Sequence, residues 1–516
     1  MKTVKYILIL AFCFVIINIS GTSGLKAQGD TVTIAPGGYI TVKENNLLYI
    51  GMDLLIQSVP GSSGYFVDYS TVSGLVVSQD ILVERYMTEN RWHNVASPVS
   101  NETTAAFSDS TDLIFYYNNA LIGNDWNFGW VWYNTPPNRP LSVFTGYDVY
   151  FYDDPVTVTY SSTGPGTHIL NTGSYNTGVY ITTTDTVLSH NSWNLVCNPY
   201  PSPVDWQDSL GWIKTSINNA KYIWDGADSI YTIYIGGAGG FGVNGGTRYI
   251  PSNQGFWVQA ENTGTFGINN ACRVATMDTL TPDFYKSDPY DYPLLSLIAT
   301  GNNKSDEVVI RFIPGTTDGF DLNYDASKLF SPSELVPQIS LKYKNQYFAL
   351  NTLPLLYDGL EVQLNFQCGK AGDYKINLSE RTNLDQFTSV WLQDKLLETI
   401  TCLTTDTTYE FYHDPENGAE RFIIYFNPSE DIINNVTHEN WFSIYSSQNV
   451  ITVVKNTISH VTGEVHIYNM LGQPVEKRSM NGENELKIRV VLPTGYYIVS
   501  VITDTYFKSE KVLIVK

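Results

Sequence analysis

The sequence predicts an all-β protein made of several β-domains in series. Aromatic residues form 14% of the chain, and 39 Gly and 23 Pro interrupt short runs rich in Val, Ile, Thr and Tyr. Such runs are typical of strands, and Gly and Pro of the turns between them. A chain of 516 residues also exceeds what one hydrophobic core normally organises. The predicted order is a short β-solenoid-like or sandwich segment, two repeated β-domains, a β-sandwich and a C-terminal Ig-like domain.

Residues 1–27 are predicted to be a signal peptide. Lys2 and Lys5 precede an apolar run from Ile7 to Ile17, which is too short to span a bilayer. Small residues then lead to an expected cleavage point after Ala27. No later run reaches the roughly 18 apolar residues of a membrane span, so we expect no transmembrane helix in the mature chain.

The N-terminal segment, residues 28–87, alternates strands of four to six residues with Gly, Asn, Asp and Pro turns. Stacked β-solenoid rungs and a small sandwich both fit this spacing. We prefer the rungs.

An internal repeat follows, and it predicts two related β-domains at residues 88–187 and 188–285. The shared positions are Trp92, Val95 and Pro98 in the first copy and Trp193, Val196 and Pro199 in the second. Each copy continues with an aromatic strand and ends with a strand that begins with Gly, at Gly146 and Gly255. Pro cannot donate to a β-ladder, so the first strand of each copy should end at its Pro.

Three segments complete the chain. Residues 286–427 show the alternation of a β-sandwich, with one short helix expected near Asp325, and residues 428–439 form a polar linker. Residues 440–516 read as a small Ig-like sandwich. This tail carries eight Lys plus Arg against six Asp plus Glu, whereas the whole chain has a net charge of −21. The difference marks the tail as a separate domain.

Three motifs in the tail occur in order: VHIYNMLGQPVEK, LPTGYYIVSV and, at the C-terminus, FKSEKVLIVK. Together they resemble the C-terminal sorting domain of type IX secretion cargo. The matching residues are Ile467, Tyr468, Leu471, Gly472, Leu492, Gly495, Tyr496, Val499, Lys508, Lys511 and Lys516. Segments further upstream, including WNLVCNPYPSP, are similar to uncharacterised β-rich bacterial surface proteins.

The resemblance implies export by the type IX secretion machinery and a location outside the cell or on its outer surface. It also implies removal of the tail within the linker, followed by release or by anchoring to surface lipopolysaccharide. Family members often open this domain with an aromatic strand that runs into Pro-Asn-Pro. The corresponding WFSIYSSQN from Trp441 lacks that feature, which leaves the start of the domain less sharply defined.

Composition and motifs exclude several functional classes. The acidic charge argues against nucleic acid as a partner. The glycines of GAGGFG lead into a strand rather than a helix, so they do not form a dinucleotide site. The seven histidines are scattered, and neither HExxH nor GxSxG occurs. We therefore expect a protein that is not an enzyme and has no cofactor, apart from the calcium candidate below.

Two sets of residues could hold a cation or a cross-link. Asp318, Asp321 and Asp325 could gather around Ca²⁺, although side chains that cap turns are the favoured interpretation. The four cysteines outside the leader could form disulfides within domains or remain free buried thiols. The candidate pairs are Cys197 with Cys272 and Cys368 with Cys402.

Trp126, Trp130 and Trp132 crowd one region and are the candidate glycan-binding residues. An exposed indole offers an apolar face to a sugar ring, but packing in the core of a β-domain is the favoured alternative. The leading functional hypothesis is an exported, non-enzymatic surface protein with an adhesive or structural role, whose partners are glycans or other surface proteins. A carbohydrate-binding surface protein is the second hypothesis, and a secreted hydrolase is the third.

Overall fold

A computed structural model confirms the all-β class, with several β-domains along the chain. The residues it describes are 25–28, 31–43, 48–69, 75–77, 79–99, 102–107, 111–121, 129–133, 138–142, 144–152, 154–162, 179–183, 193–237, 240–275, 292–384, 388–430, 432–433, 442–455, 462–503 and 507–515. Most of the predicted signal peptide lies outside them. Within these residues, no helix has the length and apolar character needed to cross a membrane.

The N-terminal segment is a small β-solenoid, as preferred from the sequence. Its strands are β1 (Leu25–Gln28), β2 (Thr31–Ile34), β3 (Tyr39–Val42), β4 (Leu48–Ile50), β5 (Asp53–Ile56), β6 (Ser58–Val59), β7 (Ser62–Ser63), β8 (Tyr65–Asp68), β9 (Leu75–Val77) and β10 (Ile81–Met87). β2 pairs with β5, β5 with β10, β3 with β8 and β4 with β9, all in parallel. Alternate residues point inward, so Val32, Leu54 and Ile81 align in one core. β1 spans the predicted cleavage point after Ala27 and pairs with β2.

The two repeats share one sheet topology. The first copy contains β11 (Arg91–Val95), β12 (Thr111–Tyr117), β13 (Trp130–Trp132), β14 (Tyr147–Phe151) and β15 (Val156–Ser162). The second contains β16 (Val179–Thr183), β17 (Trp193–Cys197), β18 (Val204–Asp205), β19 (Trp212–Lys214), β20 (Ile217–Asp225), β21 (Ile230–Ile235), β22 (Phe241–Val243), β23 (Tyr249–Ile250), β24 (Gly255–Ala260) and β25 (Gly264–Ile268). The strand orders β11-β14-β12-β13 and β17-β24-β20-β21 correspond one to one. Short 3₁₀ turns occupy Thr104–Phe107, Asn119–Leu121 and Asn270–Cys272.

The two repeats meet through reciprocal contacts. Val95 of the first copy forms a β-bridge with Gln254 of the second, and Val196, the counterpart of Val95, forms one with Thr145. Thr145 and Gln254 each stand one residue before a glycine, Gly146 just ahead of β14 and Gly255 at the start of β24. The preceding residues, Phe144 and Asn253, both have left-handed backbones, with φ of 64° and 60°. The repeats therefore face each other with an approximate two-fold relationship.

Residues 292–427 differ from the predicted sandwich, because one continuous sheet curls into a near-barrel. Its strands are β26 (Leu294–Gly301), β27 (Lys304–Phe312), β28 (Ala326–Ser327), β29 (Gln338–Tyr343), β30 (Gln346–Leu353), β31 (Leu360–Gln367), β32 (Gly372–Thr382), β33 (Val390–Asp394), β34 (Thr399–Cys402), β35 (Thr408–His413) and β36 (Phe422–Phe426). The path runs β34-β33-β36-β31-β29-β30-β27-β26-β32-β35. Twist accumulates over ten strands, so a sheet of this size tends to curl.

The two ends of this sheet are tied together in the core. The hydroxyl of Tyr409 in β35 donates to Oδ2 of Asp394 in β33 across 3.0 Å, and Arg421 forms a buried ion pair with Asp394 at 2.6 Å. The helix predicted near Asp325 is wrong, since that segment consists of turns and the short strand β28.

The tail has a core of its own. Its strands are β37 (Phe442–Ser447), β38 (Val450–Lys455), β39 (Thr462–Asn469), β40 (Pro474–Asn481), β41 (Glu485–Arg489), β42 (Gly495–Thr503) and β43 (Phe507–Ile514). They form a three-stranded and a four-stranded sheet around one cluster of buried apolar residues. In the predicted linker, the N–H of Ile433 donates to the carbonyl of Ser429, which closes one helical turn.

Candidate ligand-binding cleft

A cleft of about 270 Å³ opens where the first repeat faces the second repeat and the near-barrel. Six of its described lining residues are aromatic, and two carry an amide or carboxyl group. The lining comprises Trp92, Asn94, Phe115, Trp130, Asp148, Trp224, Tyr231, Trp257 and Pro332. This composition is typical of small-molecule sites, which are mostly apolar and contain a few fixed polar groups, and the volume suits a small ligand.

The aromatic walls are held by ring contacts within each repeat and by a contact between the repeats. The ring of Trp130 lies edge-on to Trp257 at 5.6 Å, and the ring of Trp92 lies edge-on to Phe115 at 5.8 Å. Trp224 contacts Tyr231 at 5.0 Å. Such arrangements are favourable for aromatic pairs, and they also restrict the rotation of each ring. The cleft is therefore preorganised before any ligand enters.

The polar floor of the cleft is the pair Asn94 and Asp148. Nδ2 of Asn94 donates to Oδ1 of Asp148 across 2.8 Å, and Oδ1 of Asn94 has no hydrogen-bond partner in the described structure. Burial raises the pKa of Asp148 well above its usual value, and the hydrogen bond from Asn94 opposes that rise. No Lys or Arg is among the described lining residues.

The two predicted repeats differ in the residues at these two positions, which are polar in the first repeat and apolar in the second. Asn94 lies directly opposite Asp148 in the first sheet, and the corresponding opposed pair in the second sheet is Leu195 and Trp257. Leu195 and Trp257 pack in an apolar cluster that also contains residues of the near-barrel. The first repeat thus places polar groups where its counterpart is apolar, and an incompletely satisfied polar pair costs stability.

The predicted glycan-binding tryptophans separate in the structure. Trp130 lines the cleft, whereas Trp132 is 39% exposed and packs edge-on against Phe115 at 5.3 Å. Trp126 lies outside the described residues. Trp92, Asp148, Trp224 and Trp257 were not predicted from the sequence to bind a ligand. All four lie in strands of the predicted repeats, so a comparison of the two copies position by position was the available signal.

The candidate calcium residues do not converge. The carboxylate of Asp325 accepts the backbone N–H groups of Asp321 and Thr352, each across 2.6 Å, and burial raises its pKa to about 7. The carboxylate of Asp321 accepts from Thr317, while Asp318 is exposed. The described residues contain no group of three or more potential metal ligands. These side chains instead hold turns together, which is the favoured interpretation from the sequence.

The candidate disulfides are not formed, because all four cysteines are free thiols, three of them buried. For the second pair the sheet order explains why: Cys402 ends β34, and Cys368 follows β31, three strands away. Strands lie about 4.8 Å apart, whereas a disulfide needs Cα atoms within about 7 Å. Cys368 instead accepts a hydrogen bond from the hydroxyl of Tyr374 at 3.1 Å.

The residues matched to the sorting motifs lie mainly in one four-stranded sheet, β40-β39-β42-β43. Tyr468 is the second-last residue of the inner strand β39, and Leu471 and Gly472 lie in the exposed turn that follows. Nζ of Lys511 lies 4.2 Å from the ring centre of Tyr496 in the neighbouring strand, a cation–π geometry. Gly495 begins that strand, Lys508 lies opposite Val501, and Lys516 is outside the described residues.

Comparison with known families covers both parts of the chain. Residues 9–426 match the model of a domain of unknown function, DUF8693. The chain belongs to this family. Residues 424–516 match the secretion system C-terminal sorting domain, so this DUF8693 protein is a cargo of the type IX secretion system and is handled by its machinery.

Other comparisons add little. No curated protein matches the chain. A solved structure titled "Biofilm associated protein - BSP domain" is 9% identical, with a TM-score of 0.13. The alignment covers 84% of the DUF8693 protein and 63% of that structure's chain. A TM-score this low supports no argument about fold or function.

Proposed function

We propose that this DUF8693 protein is a non-catalytic binding protein of the outer cell surface, with an adhesive or structural role, and that the aromatic cleft is its ligand site. The observation that carries the proposal is the pair Asn94 and Asp148 at the floor of an otherwise aromatic cleft. A polar pair of buried Asn94 and half-buried Asp148 in place of an apolar pair lowers stability, and a binding role is the physical reason for it.

The arrangement favours binding over catalysis. The described lining offers one carboxyl group but no Ser, Thr, Cys, His or Lys that could act beside it as nucleophile or base. Glycoside hydrolysis usually needs two carboxyl groups that flank one bond. Hydrolysis of any surface polymer by the purified protein, lost on Asp148→Asn, contradicts the non-catalytic assignment.

Adhesion is tested with the producing bacterium. Cells that carry Trp92→Ala or Trp130→Ala should export the protein at normal levels but attach less to the surfaces that wild-type cells colonise. The matched control is Tyr357→Ala, which removes an exposed aromatic ring of the near-barrel outside the cleft lining. Unchanged attachment by both cleft variants, with normal surface levels, argues against the cleft as an adhesive site.

Delivery to the surface is tested separately by removal of residues 440–516. We expect the truncated protein to accumulate in the periplasm, because the sorting domain is the part that the type IX machinery handles. Continued arrival at the surface contradicts that role. Anchoring to lipopolysaccharide predicts that the delivered protein stays in the outer-membrane fraction, whereas release predicts recovery from the medium.

Carbohydrate binding is the second candidate function. It is favoured by Trp132, whose 39% exposure leaves part of its indole available to a sugar ring beside the cleft. A glycan array tests it: specific binding that Trp130→Ala and Trp132→Ala both abolish supports this function. A blank array argues against it.

A further inference from the structure

The chemistry of the cleft indicates the class of ligand, if the proposed binding function holds. Its walls contain four indoles, and its floor carries one carboxyl group, that of Asp148. An aromatic ring has a negative face, so several rings around one space attract positive charge. A carboxylate at the floor attracts the same charge.

The carboxyl group of Asp148 has no positively charged residue beside it among the described residues of the cleft lining. Its recorded side-chain partner is the amide of Asn94, a neutral group, and burial raises the pKa of Asp148. Tyr231 is a titratable neighbour that also faces it, while Arg85 and His93 line an adjoining cavity and not the cleft itself. Burial disfavours the ionised form of this carboxyl in the free protein, and a bound cation would stabilise that form by giving it a charged partner.

The shortage of polar groups argues against a simple sugar as the deeply bound ligand. A hexose carries several hydroxyl groups, and each one that leaves water without a partner costs free energy. Only Asn94 and Asp148 among the described lining residues offer an amide or carboxyl group. The methyl groups of a quaternary ammonium need no hydrogen bond, and they present a diffuse positive charge to aromatic faces.

We propose that the cleft binds a quaternary ammonium group, with the indoles of Trp92, Trp130 and Trp257 around the methyl groups and the carboxylate of Asp148 as counter-ion. The acidic character of the chain, with a net charge of −21, attracts cations toward the cleft. The volume of about 270 Å³ accommodates a ligand the size of choline.

The test is calorimetric titration of the purified full-length protein at constant ionic strength. The probes are choline, its uncharged analogue 3,3-dimethylbutan-1-ol, and glucose. We expect saturable binding of choline, binding of the uncharged analogue weaker by about tenfold or more, and no binding of glucose. Equal affinity for choline and the uncharged analogue, or no choline binding, overturns the proposal.

Two substitutions assign the binding to the cleft. Asp148→Asn should weaken choline binding by about tenfold or more, because it removes the counter-ion and retains the shape. Asp373→Asn is the matched control, since Asp373 is an exposed strand residue of the near-barrel and its loss changes the net charge equally. If the two substitutions weaken choline binding equally, or if Asp148→Asn leaves it unchanged, the assignment of choline binding to the cleft is overturned.

Vesicles distinguish a dissolved ligand from a lipid headgroup. Binding to phosphatidylcholine but not phosphatidylglycerol vesicles supports a headgroup as the source, and binding to free choline alone supports a dissolved cation. If cell attachment depends on the cleft but the purified protein binds glucose and not choline, the proposed function stands and the quaternary ammonium ligand is overturned. If the protein binds choline but the cleft has no role in attachment, the ligand stands and the adhesive function is overturned.

Discussion

Asn94 and Asp148 lie directly opposite each other on neighbouring strands and share a hydrogen bond of 2.8 Å between amide and carboxyl groups. Their counterparts in the second repeat are Leu195 and Trp257, which are both buried. The same pair of opposed strand positions is thus polar in the first sheet and apolar in the second.

Asp148→Asn should stabilise the free protein at alkaline pH. The folded state raises the pKa of this carboxyl, so its contribution to stability is present below the unfolded value of about 4 and is lost as pH rises toward the folded value. The unfolding midpoint of the variant should exceed that of the wild type at pH 8 and match it near pH 4. A thermal scan at both values measures this, and equal midpoints at pH 8 contradict the expectation.

Lys221→Met should stabilise the protein at neutral pH. Burial lowers the pKa of Lys221 to about 7, so folding loses stability as pH falls from about 10 to about 7 and then levels off. The substitution should add a few kcal/mol at pH 7, on the order of the desolvation cost of one ammonium group, and much less near pH 10. Denaturant unfolding at both values checks this. Lys487→Met, at an exposed site, should change little at either.

Gly146→Ala and Gly255→Ala should each weaken the junction of the repeats. An added Cβ at Gly146 would lie 2.6 Å from Leu195, and one at Gly255 would lie 2.8 Å from Asn94, both inside ordinary contact distance. The expected loss is about 1–3 kcal/mol of unfolding free energy for each variant. The control is Gly418→Ala, where an added Cβ meets nothing within 4 Å. Denaturant unfolding measures all three, and a junction variant as stable as the control contradicts the close approach.

Arg421→Met should destabilise the near-barrel by about 3–5 kcal/mol, because Asp394 is left buried without its charged partner. A second substitution, Asp394→Leu in the same chain, should restore part of that loss by removing the unpaired charge. For comparison, Lys375→Met breaks an exposed ion pair with Glu410 and should cost less than about 1 kcal/mol. Unfolding by denaturant compares the three. Equal losses in Arg421→Met and Lys375→Met contradict the buried character of the pair.

The sequence anticipated features that depend on local pattern. The positions shared by the two repeats, such as Trp92 and Trp193, lie in strands with equivalent sheet neighbours because a repeated pattern repeats its pairing. Features that depend on distant residues were missed. Asp325 was expected to cap a helix, but it instead accepts a backbone N–H from Thr352, a residue 27 positions further along the chain.

The cysteines and tryptophans likewise show that contacts between distant residues could not be predicted from the sequence. Proximity in sequence suggested Cys368 with Cys402, yet the sheet order separates them, because strands adjacent along the chain need not be adjacent in the sheet. Composition drew attention to Trp130 and Trp132 as a pair. The structure places Trp130 beside Trp257 across the repeat junction and leaves Trp132 partly exposed outside the cleft lining.

The sequence by itself determined the all-β class and the type IX sorting domain, since each rests on periodicity or on motifs within a few tens of residues. Only the tertiary structure decided that the β-sandwich predicted at residues 286–427 is a sheet curled into a near-barrel. It alone also decided that Asp148 and four tryptophans enclose one cleft. Those outcomes depend on strand order and on contacts between the repeats. The physical reason is that residues far apart in the chain meet only when whole sheets pack, and no local pattern records which faces will meet.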